Sequence, residues 1–225
     1  MNELELMKAR LNFRGGAAQQ DRMIKDKRKT LDRVTLYSYQ GARIKKDVSE
    51  EIAPALINPN RLSQDYDDKI VSVGYEYGYA AGDIFEWCNT GTHWIIYSHE
   101  LTELAYFKGK VRRCRYQIKW LADGAEKVTY AEVIGPNEAR IESQKWSTGI
   151  LDNPNYSLRI MVPLNEDTLK FFKRYSEFYL NETCWRIEAV DNISNPGIIE
   201  VIAVEYYGNE HEDKDGVVGA LIQDP

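Results

Sequence analysis

The chain has 225 residues, 43% hydrophobic and 12% aromatic, which is enough for an ordinary core and, with fifteen tyrosines, weighted towards β-sheet. A net charge of −6 and a pI near 5.3 argue against a general nucleic-acid binder, whose affinity would come from Lys and Arg. The charge is nonetheless polarised: residues 1–46 hold twelve Lys or Arg against five Asp or Glu, a balance of +7, which leaves −13 for the remainder.

The N-terminus MNELELMKARL lacks a secretory apolar stretch, and no apolar run reaches the roughly 18 residues that span a bilayer, so the sequence predicts no export and no membrane segment. Residues 2–13 read as a short helix stopped by Gly15-Gly16, and a second helix is expected over 18–34. Its apolar stripe is thin: Ile24, Leu31 and Val34 keep helical spacing among Gln, Asp, Lys and Arg. Such a helix is marginal in water without a partner surface, so it lies on its own domain or docks on another subunit. The residues assigned to docking are Ile24, Lys27, Arg28, Leu31 and Val34.

Leu36 to Lys46 reads as a strand, with Gly41 a bulge position. Ser49 to Asp68, with Pro54, Pro59 and the acidic run Asp65-Tyr66-Asp67-Asp68, reads as loop and turn. The acidic run lacks the Gly and distal Glu of a calcium loop, so no metal is assigned there. Lys69 to Gly78 reads as a strand or a loop. The stretch Asp83 to Trp120 then concentrates three of the five tryptophans, Trp87, Trp94 and Trp120, in strand-like runs turned by Asn89-Thr90-Gly91-Thr92. In its last run Cys114, Tyr116, Ile118 and Trp120 alternate with Arg113, Arg115, Gln117 and Lys119, as on a strand with one buried face. Each buried tryptophan contributes a gross ~4–6 kcal/mol, so the core is placed here.

Asp123-Gly124 marks a hairpin into KVTYAEVIG. Gly135 to Pro154 is polar but carries Trp146, a costly side chain to leave wet and a candidate for partner docking. Tyr156 to Leu164 alternates as a strand, and Asn165 caps a short helix through Tyr175 with Phe172 and Tyr175 facing inward. Residues 183–190, with Trp185 in the core, and 197–206 form a hairpin around Asn195-Pro196-Gly197. From Asn209 the chain is acidic and reads as a mobile tail.

Motifs for catalysis are absent. There is no HExxH, CxxC, phosphate loop, G-x-G-x-x-G or G-x-S-x-G. Three histidines, His93, His99 and His211, are too few and too scattered for a metal or acid–base site, although His93 and His99 are expected on one strand face. Three cysteines, Cys88, Cys114 and Cys184, sit in strand-like runs as buried hydrophobes of a reducing compartment. No cofactor, metal or catalytic residue is assigned.

The stretches GDIFEW, TGTHWIIY, LTELAYFKGKVRRCRYQIKW, YSLRIMVPLNEDTLKFFKRYSEFYL and CWRIEAVDNISNPGIIEVIAVEYY together resemble structural proteins of tailed bacteriophages. Within that group they are most similar to the head-closure or stopper proteins of the neck. LNFRGGAAQQDRMIKDKRKTL and INPNRLSQDYDDKIVSV extend the likeness towards the N-terminus, although the chain is longer than a minimal neck module. The resemblance implies a homo-oligomeric ring between portal or adaptor and tail proteins, around double-stranded DNA that passes without sequence-specific binding. It further implies a virion location, synthesis in the bacterial cytoplasm, and a role in head closure, genome retention and ejection. An acidic lumen would let DNA slide without sticking, since carboxylates repel phosphates.

The expected fold is mainly β: an antiparallel barrel or sandwich with an N-terminal helical extension and one short helix inserted between strands. The expected division is a docking extension over 1–35, a β domain over 36–207 and the acidic tail over 208–225. Alternatives are a tail-tube, terminator or baseplate component, a DNA-binding module using Lys25, Lys27, Arg28, Lys29 and Arg33, and a small hydrolase around His93 and His99.

Overall fold

A computed structural model describes residues 16–63, 65–101, 103–122, 125–135, 157–180, 183–206 and 217–221. The fold is mainly β, and its sheets close into barrels. Helix α1 (Gly16–Tyr37) precedes a first barrel of six strands: β1 (Gly41–Lys46), β2 (Ile52–Pro59), β3 (Asp68–Val73), β4 (Ile84–Trp87), β5 (Thr92–His99) and β6 (Phe107–Cys114). They close in the order β1-β2-β3-β6-β5-β4, every neighbour antiparallel. The second barrel holds β7 (Tyr116–Ala122), β8 (Ala125–Ile134), β9 (Ser157–Pro163), β10 (Glu177–Leu180), β11 (Thr183–Asp191), β12 (Ile198–Glu205) and β13 (Val217–Leu221). The short helix α2 (Glu166–Phe171) lies between β9 and β10. β13 closes this ring by pairing antiparallel with β7 and parallel with β10.

Each barrel has its own core. The first is filled by Ile44, Phe85, Trp94, Ile96, Phe107 and Val111, and Trp87 packs at its margin with its ring centroid 6.0 Å from that of Trp94. The second is filled by Ile118, Trp120, Ile160, Phe178, Trp185 and Ile187, with Tyr116 half-buried against it. The alternating run that reads as one strand is therefore two. β6 ends at Cys114, Arg115 turns alone, and β7 starts at Tyr116, so a period-two pattern continues across a boundary between barrels. Cys114 accordingly packs with Ile84, Ile95, Met161 and Ile198 in a third, smaller cluster that joins the two.

Other expectations are revised by pairing. The expected loop over 49–68 contains β2, because Ala53, Ala55 and Ile57 alternate into the first core. Pro54 is tolerated there for a stated reason. It stands opposite Arg43, whose N–H donates to Asn89 Oδ1 and whose carbonyl accepts from Cys88, so β1 offers Pro54 nothing that needs an amide donor. Gly41 opens β1 and forms no bulge; a Cβ there would stand 2.1 Å from the Thr35 carbonyl oxygen.

Helix α2 is shorter than expected. Asn165 caps it, its side chain accepting from the Thr168 N–H at 2.8 Å while Thr168 Oγ1 accepts from the Asn165 N–H at 3.0 Å. Phe172 is buried as expected. Tyr175 is not: its backbone turns left-handed at φ 70°, its N–H reaches the Ile187 carbonyl, and its ring is exposed beneath Arg174. The expected 208–225 tail supplies β13, whose pairing with two strands fixes its backbone in the second barrel. The helix expected at 2–13 and the loop bearing Trp146 lie outside the described residues.

Candidate interaction surfaces

Helix α1 lies on the first barrel through the thin stripe read from its sequence. Leu31 is buried, contributing about 2 kcal/mol by area, and Ile24 and Val34 are half-buried. Lys27 Nζ stands 3.0 Å from Glu103 Oε2, and Arg28 Nε donates to the Ala105 carbonyl at 2.7 Å. Glu103 is held below the usual carboxylate range: partial burial opposes this, but the Lys27 ammonium and the Ala105 N–H outweigh it. The residues assigned to docking on a partner thus tie α1 to its own chain, at the β5–β6 connection.

The opposite face keeps three of the five cations grouped in the sequence as a DNA-binding set, Lys25, Lys29 and Arg33, since Lys27 and Arg28 turn to Glu103 and Ala105. At 100° per residue Arg22, Lys25, Lys29, Arg33 and Leu36 form one outward stripe, all exposed, and none of the four cations forms an ion pair among the described residues. Beyond it Tyr37 is 85% and Tyr39 94% exposed. The signal was present, but Leu36-Tyr37-Ser38-Tyr39 was read as the start of a strand, whose alternation would have buried half of them.

At the other end of β1 the loop to β2 presents Val48, 86% exposed, with Glu50, Glu51 and Ile52 also on the surface. Lys45 Nζ lies 2.8 Å from Glu50 Oε2, an exposed pair that contributes little and exchanges readily. The acidic run 65–68 has structural partners. Asp67 pairs with Arg115, Asp68 accepts from Asn60 Nδ2 at 3.0 Å and Tyr97 Oη at 3.0 Å, and Asp65 accepts from the Asp67 N–H at 2.8 Å. No group of three or more metal-ligating side chains occurs among the described residues.

The joint between the barrels gathers the polar residues that might otherwise mark a catalytic centre. Arg112 Nη1 reaches Glu132 Oε1 at 2.9 Å across it, with side chains only 14% and 11% exposed. His93 stacks on Tyr130 of the second barrel, centroids 3.7 Å apart and planes 13° from parallel. Its Nε2 is 4.0 Å from Asp47 Oδ1, while Nδ1 is buried without a hydrogen-bond partner. Burial pushes this imidazole below its ordinary value despite the opposing pull of Asp47 and Glu86. Burial likewise raises the Asp47 carboxyl, with His93 pulling the other way.

His99 does not share that face. The register of β5 on β6 slips between Ile96 and Ser98, and the extra residue turns His99 onto Phe107 of the first core, centroids 4.5 Å apart. Of the cysteines, Cys114 and Cys184 are buried and Cys88 is exposed, against expectation, because the β4–β5 turn points it outward. The segment 70–82 buries Val71, Val73 and Tyr79 and ends in the joint. There Gly82 and Gly197, at φ 91° and 84°, meet backbone to backbone; a Cβ on Gly82 would stand 2.0 Å from the Gly197 carbonyl oxygen.

The joint is thus filled by apolar packing, an ion pair, a ring stack and a two-glycine contact, and the surfaces at the two ends of β1 are among the places where the described residues expose apolar side chains. No described protein family, curated protein or solved structure matches the chain.

Proposed function

We propose that the chain is a non-enzymatic virion protein of a tailed bacteriophage, forming a homo-oligomeric ring in the neck that joins head and tail and surrounds the DNA path. The observation that carries this reading is where the exposed apolar side chains lie. The most exposed of them, Tyr37, Tyr39, Val48, Leu62 and Tyr66, stand at the helix end and strand connections of the first barrel, and Ile193, in the β11–β12 turn of the second, is exposed to the same degree. Large aromatic side chains held out in this way are interface material. A ring subunit needs such contacts because a closed barrel offers no sheet edge to extend. The resemblance to neck proteins, spread over most of the chain, supplies the place in the particle.

The test is mass by light scattering of the purified protein, alone and after mixing with head and tail fractions, followed by electron microscopy of labelled protein. Incorporation at the neck is the expected result. A strict monomer that enters no particle overturns the proposal. Assembly into the tube or baseplate moves the ring to one of those positions.

One observation favours a second reading, DNA binding: the outward stripe of four cations on α1. Binding by phosphate contacts weakens steeply with salt, so affinity for duplex DNA that falls by about 10²-fold between 50 and 200 mM salt, as four phosphate contacts dictate, would establish it.

A further inference from the structure

We infer that copies of the chain join head to tail through the first barrel, with the outward face of α1 and the turn after it in one copy seated on the β1–β2 connection of the next. The inference rests on the ring reading above and names the surfaces that mate. One surface is basic and aromatic: Arg22, Lys25, Lys29 and Arg33 point away from the barrel, and Leu36, Tyr37 and Tyr39 follow them. The other is acidic and aliphatic, with Glu50 and Glu51 set between exposed Val48 and Ile52 and with Glu50 in an exposed, exchangeable pair with Lys45. The charges are of opposite sign, and each patch has apolar side chains for the other to cover. Such pairing steers encounter and fixes register, while the buried aromatics supply the affinity.

Their placement decides the symmetry. The turn that carries Tyr37 and Tyr39 and the connection that carries Glu50 and Glu51 flank the two ends of β1, which spans Gly41–Lys46 and is about 20 Å long at the usual rise per residue. They do not overlap, so one copy can use both at once. A single contact between unlike patches on two copies is heterologous, and repeating it produces a closed ring or an open filament; a two-fold dimer would need both contacts made reciprocally between the same two copies. Two α1 stripes facing each other would set like charges together. Duplex DNA would satisfy the cations but would leave Leu36, Tyr37 and Tyr39 against phosphates, and Asp26 lies within the same outward stripe.

The experiment uses the full chain and two charge-reversal variants, K29E/R33E and E50K/E51K, followed by sedimentation velocity and negative-stain microscopy. All four side chains are exposed, and circular dichroism checks that both variants are folded. The unaltered chain is expected to form multi-subunit particles. Each variant alone is expected to raise the concentration needed for assembly at least tenfold. Mixed one to one they should assemble again, because the lysines of E50K/E51K then face the glutamates of K29E/R33E, and the unaltered patches face each other. If the unaltered chain assembles and both variants assemble equally well, the pairing is wrong and the ring reading stands. If the unaltered chain stays a monomer at every concentration, the ring reading itself fails. If it binds duplex DNA and K29E/R33E abolishes that without affecting assembly, the stripe is a phosphate surface and the inference is overturned.

Discussion

Gly197→Ala tests the closeness of the two barrels. Gly197 is at φ 84°, a region that costs an L-residue about 1–2 kcal/mol. A Cβ there would also lie 2.1 Å from the Ala81 carbonyl oxygen, inside contact distance of a backbone atom that moves only if the barrels part. Overpacking of this kind adds about 1–3 kcal/mol, so the expected loss is roughly 2–5 kcal/mol. Gly78→Ala is the internal control: its φ is 62°, with nothing within 4 Å of the added carbon, so it bears only the backbone cost of about 1–2 kcal/mol. At about 2–4 °C per kcal/mol for a chain of this size, thermal midpoints should fall by roughly 4–20 °C for Gly197→Ala and 2–8 °C for Gly78→Ala. Hydrogen exchange locates the effect. The amides of Gly82, Ile96 and Leu164, bonded at the joint to Ile96, Asp83 and Gly197 carbonyls, should exchange faster in Gly197→Ala and not in Gly78→Ala. Equal losses for the two variants, with unchanged exchange at the joint, would refute the claim that the glycines bring the barrels into backbone contact.

Glu132→Ala should cost about 3 kcal/mol in urea unfolding, because it strips a nearly buried guanidinium of a carboxylate 2.9 Å away. Adding Arg112→Met should cost less than the two single losses together, a coupling that a double-mutant cycle reads directly. His93 titrates with the opposite sign to a paired surface histidine. Burial lowers its proton affinity in the native chain, so its contribution is complete above the ordinary value of 6.5 and is lost as pH falls below it towards the depressed native value. His93→Gln should flatten the decline in urea midpoint below about pH 6.5. Asp47, raised by burial, makes the native chain bind its proton more readily, so stability falls as pH rises from 3.8, and Asp47→Asn should remove that lower-pH slope. Asn165→Ala removes the acceptor of the α2 capping box and should cost about 1 kcal/mol in the thermal midpoint of the second barrel.

Local chemistry was readable where one residue type settles one backbone choice. Asn165 announced a helix start, and Asn195-Pro196-Gly197 announced the β11–β12 turn, because capping and positive φ are properties of single residues. The burial of Trp94, Ile118, Trp120 and Trp185 followed from alternation and size. The boundary at Arg115 was unreadable because alternation reports which side a residue faces and not which barrel lies on that side. His99 eluded the pattern for a related reason: one inserted residue in β5 inverts every face after it. β13 was hidden in an acidic stretch because its place is set by pairing with β7 and β10, strands distant in sequence.

The closed sheets also determine how such a molecule can assemble. Open strand edges are the usual route by which β proteins associate, and closure of both sheets removes that route. In the ring reading, contacts through α1 are favoured because its own attachment is narrow: one buried leucine, two half-buried aliphatics and two polar contacts from Lys27 and Arg28. With so little apolar surface committed to its own barrel, α1 is free to present a charged outer face, and a contact made there stabilises the helix as well as the assembly. Weakening the inner attachment by Leu31→Ala should therefore reduce association as strongly as reversing the outer charges, while the barrel cores, which α1 does not enter, keep their hydrogen-exchange protection. Unchanged association in Leu31→Ala would mean that α1 takes no part in it.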